Sequence, residues 1–359
     1  MRTRTTLSLL LLLLATIPHA VFAEIHFLKG PLNDAVTRAT AERKPIMIDF
    51  ITDWCRWCDT LDARTYSDER VASFVNQNLV PIKIDAEKGE GIDIAKKYGV
   101  AAYPTIVFIK SDGNEIDRIL GYVPADPFLT TITDYVNGRN TLPVLLAESE
   151  KRPDDAALQY ALAEKYQDRN DAVKAADRFQ RVLDLDPNNT LGHGEEANYA
   201  VALAAFRSSK DPSKLISFTD RYPESQMVRG AFVSVWRSYI KEKDGENARK
   251  YFLKTMEKFP TDAALMNTYA WNCMEQKINL DHAAEIAKKA VELASKDGER
   301  AGYLDTYAMV EYTRGNVAKA IDLEQQALEL LKDAPAKTRK PYEETMAKFK
   351  AGNSPSSKK

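Results

Sequence analysis

The hydrophobic pattern changes once along the chain, near residue 140, and this change limits the fold more than any other sequence feature. From Glu24 to about Asn140, short apolar runs alternate with amphipathic stretches, the order expected of a mixed α/β layer structure. From Asp155 to Leu331, strand signals vanish and Ala, Leu, Lys and Glu recur at helical spacing. The sequence therefore predicts an α/β domain followed by an all-α domain.

The elements of the first domain can be placed from hydrophobic runs and turn residues. We predict strands at 45–51, 79–85, 105–110 and 116–120, and helices at 32–42, 55–64, 68–77, 91–97 and 126–137. The Ser-Asp-Gly-Asn run at 111–114 supplies the turn of a hairpin between the last two strands. Together these elements predict a small sheet covered by helices.

The N-terminus has the pattern of an export signal. Arg2 and Arg4 precede an apolar run at 7–17 that is short for a bilayer span, and small residues at positions 21 and 23 fit cleavage before Glu24. An uncleaved signal anchor is the alternative, although Pro18 ends the apolar run early. We expect residues 1–23 to be a signal peptide, the mature protein to be periplasmic or secreted, and no stable membrane insertion after cleavage.

The second half contains an internal repeat. Pro187, Pro223 and Pro260 are evenly spaced, and small and aromatic residues recur between them. This pattern resembles tetratricopeptide-repeat arrays, with units slightly longer than the usual ~34 residues. The resemblance implies about five repeats over 155–334, forming a solenoid whose groove binds a protein partner. We predict a linker at 141–154, where Pro143 and Pro153 lie, and a C-terminal helix with a disordered tail at 335–359.

Cys55 and Cys58 form a closely spaced pair after a buried strand. Zinc would need further ligands, and the chain has only three cysteines and four histidines. A purely structural disulfide would close a very small loop and remove little chain entropy. At a helix start, unpaired N–H groups and the helix dipole favour the Cys55 thiolate over the thiol. Redox chemistry is the favoured interpretation, and we expect neither a metal nor a cofactor.

The region 24–140 resembles the thioredoxin superfamily, most closely its exported branch with a Trp-Cys-x-x-Cys motif. The resemblance rests on the strand with Asp49, the Cys55 pair, and a Tyr-Pro-Thr strand start. It implies that Cys55 is the nucleophile, Cys58 the resolving thiol, and Asp49 the buried carboxylate that accepts a proton. The implied substrate-binding residues are Trp54, Tyr103, a cis Pro104 and Thr105. The fold predicted overall is an α/β thioredoxin-like sandwich followed by an all-α tetratricopeptide-repeat solenoid.

Several residues depart from that pattern or fall outside it. Arg56 and Trp57 stand between the cysteines and are expected to tune their reactivity, since a cation next to Cys55 stabilises its thiolate. Lys83 is the candidate for a lysine near the buried acid. Cys273 is interpreted as a small apolar helix residue, and His193 and His282 as surface residues.

These features predict an exported protein disulfide reductase or isomerase with a repeat domain that recruits partners. Its partners would be protein thiols and disulfides, a protein in the repeat groove, and a membrane redox partner that supplies electrons. The alternative is a repeat-based scaffold with a redox-sensitive thioredoxin-like docking module. Lys plus Arg number 50 against 52 for Asp plus Glu, which argues against nucleic acid as a partner.

Overall fold

The computed structural model describes residues 24–352 and divides into two compact units, which join between Asp171 and Ala172. The predicted signal peptide and most of the predicted C-terminal tail lie outside the described residues. Within residues 24–352, no helix is both long enough and apolar enough to cross a bilayer.

The first unit contains a four-stranded sheet with helices on both faces. The strands are β1 (Ile46–Ile51), β2 (Val80–Asp85), β3 (Thr105–Ile109) and β4 (Glu115–Leu120), in the spatial order β2-β1-β3-β4. Strand β1 pairs parallel with β2 and antiparallel with β3, and β3 pairs antiparallel with β4. The helices are α1 (Leu32–Glu42), α2 (Arg56–Leu61), α3 (Glu69–Asn78), α4 (Gly91–Lys97), α5 (Ala125–Val136), α6 (Leu142–Lys151) and α7 (Ala156–Gln167).

Hydrophobic cores lie on both faces of this sheet. Alternate residues of β1 point to opposite faces, so Met47 joins the core beneath α3 and α5, whereas Ile46, Ile48 and Phe50 join the core beneath α1 and α4. The chain leaves β1 at Ile51 and enters α2 after Cys55, which places the cysteine pair at the carboxyl end of a buried strand.

The segment predicted as a linker is instead largely helical. Helix α6 occupies Leu142–Lys151, with Pro143 in its first turn, where a missing backbone N–H costs nothing. Leu142, Leu145 and Leu146 of α6 pack against Leu158 and Leu162 of α7. The predicted linker thus contains a helix, in which Pro143 occupies the first turn.

The second unit is entirely helical over its described residues. Its helices are α8 (Ala172–Leu185), α9 (Gly194–Ser209), α10 (Ser213–Arg221), α11 (Val228–Lys241), α12 (Gly245–Lys258), α13 (Ala263–Gln276), α14 (Leu280–Leu293), α15 (Asp297–Arg314), α16 (Val317–Leu330) and α17 (Ala336–Lys350). Aromatic and small residues of these helices form one continuous core, including Trp236, Phe252, Tyr269, Ala287 and Phe349.

Candidate active site

Cys55 and Cys58 are joined by a disulfide at the start of α2, with their Cα atoms 5.3 Å apart. Cys55 caps the helix, and its sulfur accepts a hydrogen bond from the Cys58 backbone N–H at 3.1 Å. The helix therefore directs an N–H group and the positive end of its dipole at Cys55, as the sequence predicted. Both residues are about 95% buried, with 5% and 6% of their surface exposed. A partner must approach them closely to react.

Asp49 is a buried carboxylic acid in the middle of β1. It is 1% exposed, and its Oδ1 has no hydrogen-bond partner among the described residues. Burial raises the pKa of Asp49 to about 7, while the Lys83 ammonium opposes this increase and the Asp62 carboxylate adds to it. At neutral pH this carboxyl can therefore both accept and release a proton.

Lys83 links the buried acid to an exposed one. It is paired with Asp49 in the register of β1 and β2, and its Nζ lies 3.9 Å from Asp49 Oδ2 and 2.5 Å from Asp62 Oδ1. Asp62 begins a π-helical turn, Asp62–Tyr66, that directly follows α2. A cavity of about 440 Å³ adjoins this ion pair and is lined by Glu24, Ile25, Phe27, Asp62, Tyr66, Ser67 and Lys83. The cavity therefore reaches the Lys83–Asp62 pair, and Lys83 in turn contacts Asp49.

The loop before β3 contains the cis proline that the resemblance implies. The Tyr103–Pro104 peptide bond is cis, and the Pro104 carbonyl accepts a hydrogen bond from Gly121 N at 2.8 Å. The Thr105 side chain differs from its predicted role. It is 1% exposed and donates to the Ala102 carbonyl at 2.7 Å, so it holds the loop in place and is not free to contact a substrate.

The tryptophans next to the two cysteines each contact a tyrosine ring. Trp54 packs edge-on against Tyr103 with ring centroids 5.9 Å apart, and its Nε1 donates to Glu87 at 3.0 Å. Trp57 stacks on Tyr122, also at 5.9 Å. The sequence analysis identified Trp54, Tyr103 and Trp57 but gave no role to Tyr122. Its contact with Trp57 joins residues far apart in sequence, and no local pattern indicates it.

Arg56 is exposed, and no carboxylate in the described part of the chain lies within ion-pair distance of it. Its charge is therefore free to act on Cys55 or on an approaching partner. Outside the cysteine pair, residues 24–352 contain no cluster of three His, Cys, Asp or Glu side chains able to hold a metal.

The remaining cysteine and histidine candidates take structural positions. Cys273 is fully buried, and burial raises the pKa of its thiol to about 12, so it stays protonated and inert. His282 is only partly exposed, whereas the sequence predicted a surface residue: its Nδ1 lies 3.1 Å from the Tyr269 hydroxyl, and burial lowers its pKa.

Comparison with known proteins assigns the first unit to a class. The family model described as a thioredoxin-like domain matches residues 32–136. These residues form a thioredoxin-like domain whose Cys-x-x-Cys pair supports a general role as a thiol–disulfide oxidoreductase. The match includes the cysteine pair and the cis-proline loop, and it ends before α6.

The individual relatives are named as thiol–disulfide interchange proteins. The thiol:disulfide interchange protein DsbD of Yersinia pestis (strain Pestoides F) is 37% identical over 94 residues, which are 25% of this chain and 16% of that protein. The protein of the same name from Campylobacter jejuni (strain RM1221) is 36% identical over 90 residues, again 25% and 16%. The reduced C-terminal domain of Neisseria meningitidis DsbD is 32% identical, covers 30% of this chain and 94% of that domain, and gives a TM-score of 0.26. The chain thus spans about a sixth of the length of the two curated interchange proteins.

Proposed function

We propose that the protein is an exported thiol–disulfide oxidoreductase that reduces or isomerises disulfides of other proteins, with Cys55 as nucleophile and Cys58 as resolving thiol. The observation that carries this proposal is the disulfide at the start of α2, which follows the strand that bears a buried acid with a pKa of about 7. The predicted export signal and the names of the interchange proteins support a compartment outside the cytoplasm, and a membrane redox partner as electron source.

The reaction runs in two exchange steps. The Cys55 thiolate attacks one sulfur of a partner disulfide, so that a Cys55–partner disulfide forms and the second partner sulfur leaves as a thiolate. Cys58 then loses its proton to Asp49, directly or through water, and attacks the Cys55 sulfur. The Cys55–Cys58 disulfide forms, the first partner sulfur leaves as a thiolate, and two electrons have passed to the partner. Asp49 returns its proton to solvent past Lys83 and Asp62.

We further propose that the helical unit is a tetratricopeptide-like array that recruits protein partners. Helices α11, α13 and α15 begin at residues 228, 263 and 297, and the intervening α12, α14 and α16 begin at 245, 280 and 317. Ion pairs between residues 33 apart join neighbouring helix pairs, including Arg229 to Asp262 at 2.8 Å and Arg314 to Asp281 at 2.6 Å. A regular array of helix pairs of this length supports a repeat solenoid with an extended binding surface.

The proposed exchange is tested with the full chain, reduced with dithiothreitol and mixed with insulin. The wild type should reduce insulin disulfides. Cys58→Ser should accumulate a one-to-one mixed disulfide, because the resolving thiol is missing, whereas the matched Cys55→Ser variant should form none. Absence of insulin reduction by the wild type, or equal trapping by both variants, would contradict the proposed roles.

A further inference from the structure

The two tryptophans beside the cysteines are exposed although each touches another ring. Trp54 precedes Cys55 and is 66% exposed, and Trp57 precedes Cys58 and is 60% exposed. Large exposed rings next to a reactive group usually belong to a binding surface, because covering an indole with a partner removes apolar surface from water and so stabilises the complex.

The surroundings of the two tryptophans differ. Trp54 is held by a hydrogen bond to Glu87, and the neighbouring Asp53 forms an ion pair with Lys88 at 2.6 Å. The contact recorded for the Trp57 ring is apolar: it stacks on Tyr122 with the ring planes 23° apart. The Trp57 ring therefore has an aromatic contact, whereas the Trp54 ring has a polar contact and an ion pair beside it.

Tyr122 belongs to the loop that neighbours the cis-proline loop. Gly121 N donates to the Pro104 carbonyl at 2.8 Å, and Thr105 is paired with Leu120 across β3 and β4. An extended segment lying along Tyr103–Pro104 would therefore pass close to Tyr122. Stacking also fixes the Trp57 ring before a partner arrives, which lowers the cost of ordering it on binding.

We propose that the stacked pair of Trp57 and Tyr122 determines specificity in the exchange reaction by binding a large apolar side chain next to the partner's disulfide-bonded cysteine. The occupant is an extended polypeptide segment, and its aliphatic or aromatic residue packs on the indole face. This inference rests on the proposed function. The chemistry is unchanged: Cys55 attacks the partner sulfur, one disulfide breaks as another forms, and the dithiol of the protein supplies both electrons.

The test uses the full chain, reduced with dithiothreitol, and three disulfides. Two are homodimeric peptides that differ only in having Leu or Asp beside the cysteine, and the third is glutathione disulfide. Tyr122→Ala should slow exchange with the Leu peptide by roughly three- to tenfold, as expected for loss of an aromatic pair. Exchange with the Asp peptide and with glutathione disulfide should change less than about twofold.

Two further variants keep the result interpretable. Tyr122→Phe retains the stack and should behave as the wild type. Trp57→Ala, at an exposed position, should also slow exchange with the Leu peptide. For this variant the rate with the Leu peptide is divided by the rate with glutathione disulfide, because this ratio removes any change in cysteine reactivity. Equal slowing on all three disulfides, or none on the Leu peptide, would overturn the inference. Failure of the wild type on every disulfide would instead overturn the proposed function.

Discussion

Asp49 is enclosed in the sheet, and its side-chain environment decides when it is charged. Removal from water disfavours the carboxylate, and the Lys83 ammonium, 3.9 Å away, compensates only in part because it also binds Asp62. The folded protein therefore binds a proton at Asp49 over a pH range in which the unfolded chain does not. Stability gained below the unfolded pKa of ~3.9 is lost as the pH rises through about 7.

Asp49→Asn should therefore stabilise the oxidised protein at pH 8 by about 2 to 4 kcal/mol and have almost no effect at pH 4. Urea unfolding at the two pH values measures this difference. Asp59→Asn is the matched control, because Asp59 is an exposed acid on α2, and it should give the same small change at both pH values. A wild type as stable as Asp49→Asn at pH 8 would contradict the raised pKa.

Among the individual site residues, the sequence predicted those whose role can be recognised from neighbouring residues in the chain. Asp49 stood out as a charge within an apolar strand, and Lys83 was a candidate because it lies in the adjacent strand. Asp62 was not predicted, since its place beside Lys83 depends on the π-helical turn after α2. Tyr122 was missed for a related reason: its stacking partner comes from a distant loop.

Helix α7 is attached to strand β4 through a buried ion-pair cluster. Asp117 is fully buried and accepts hydrogen bonds from Arg169 at 2.8 Å and from the Leu142 backbone N–H at 2.9 Å, and it pairs with Lys165 at 3.0 Å. One carboxylate thus fixes both the start of α6 and the last turn of α7. The sequence predicted the strands and α1 to α5 within a few residues, but it gave no sign that these two helices belong to the first unit.

Asp117→Ala should destabilise the first unit by about 3 kcal/mol, because Lys165 and Arg169 would keep their partial burial and lose a charged partner. Chemical unfolding of a protein that comprises residues 24–171 measures the loss of stability. Glu148→Ala removes an exposed ion pair with Arg152 on α6 and should change stability by less than about 0.5 kcal/mol. Similar losses in the two variants would show that the cluster does not anchor α7.

For the whole molecule, the compact units divide between Asp171 and Ala172, whereas the predicted boundary lies at residue 140 and the family match ends at residue 136. Cooperative folding of the redox unit is expected to need α6 and α7, since their leucines form a small core and their polar groups satisfy Asp117. The sequence analysis placed the boundary at residue 140 because the alternation of strands and helices stops before these helices begin.

We expect residues 24–171 to melt at a higher temperature than residues 24–140 and to reduce insulin as fast as the full chain. On a client that binds the helical unit, the full chain should be faster, because tethering raises the local concentration of that client near Cys55. Thermal unfolding and reduction rates of the three proteins provide the measurements. If residues 24–171 and the full chain reduce both substrates at equal rates, the recruiting role is contradicted. If residues 24–140 and 24–171 melt at the same temperature, the domain boundary lies at residue 140.

The ion cluster on β4 also closes one side of the sheet. Tyr135 donates its hydroxyl to the Arg118 carbonyl at 3.0 Å, and on the opposite side Leu28 pairs with β2 through a hydrogen bond to Pro81 at 2.8 Å. Both outer strands thus have backbone groups that are already bonded, and β4 also carries charged side chains. Open strand edges are templates on which chains add to one another and aggregate. Cutting the chain after residue 140 would leave the Tyr135 contact in place but would remove Leu142, Lys165 and Arg169 from Asp117. The charged partners on β4 would then be lost, so the cost of a shortened domain would include self-association as well as lost stability.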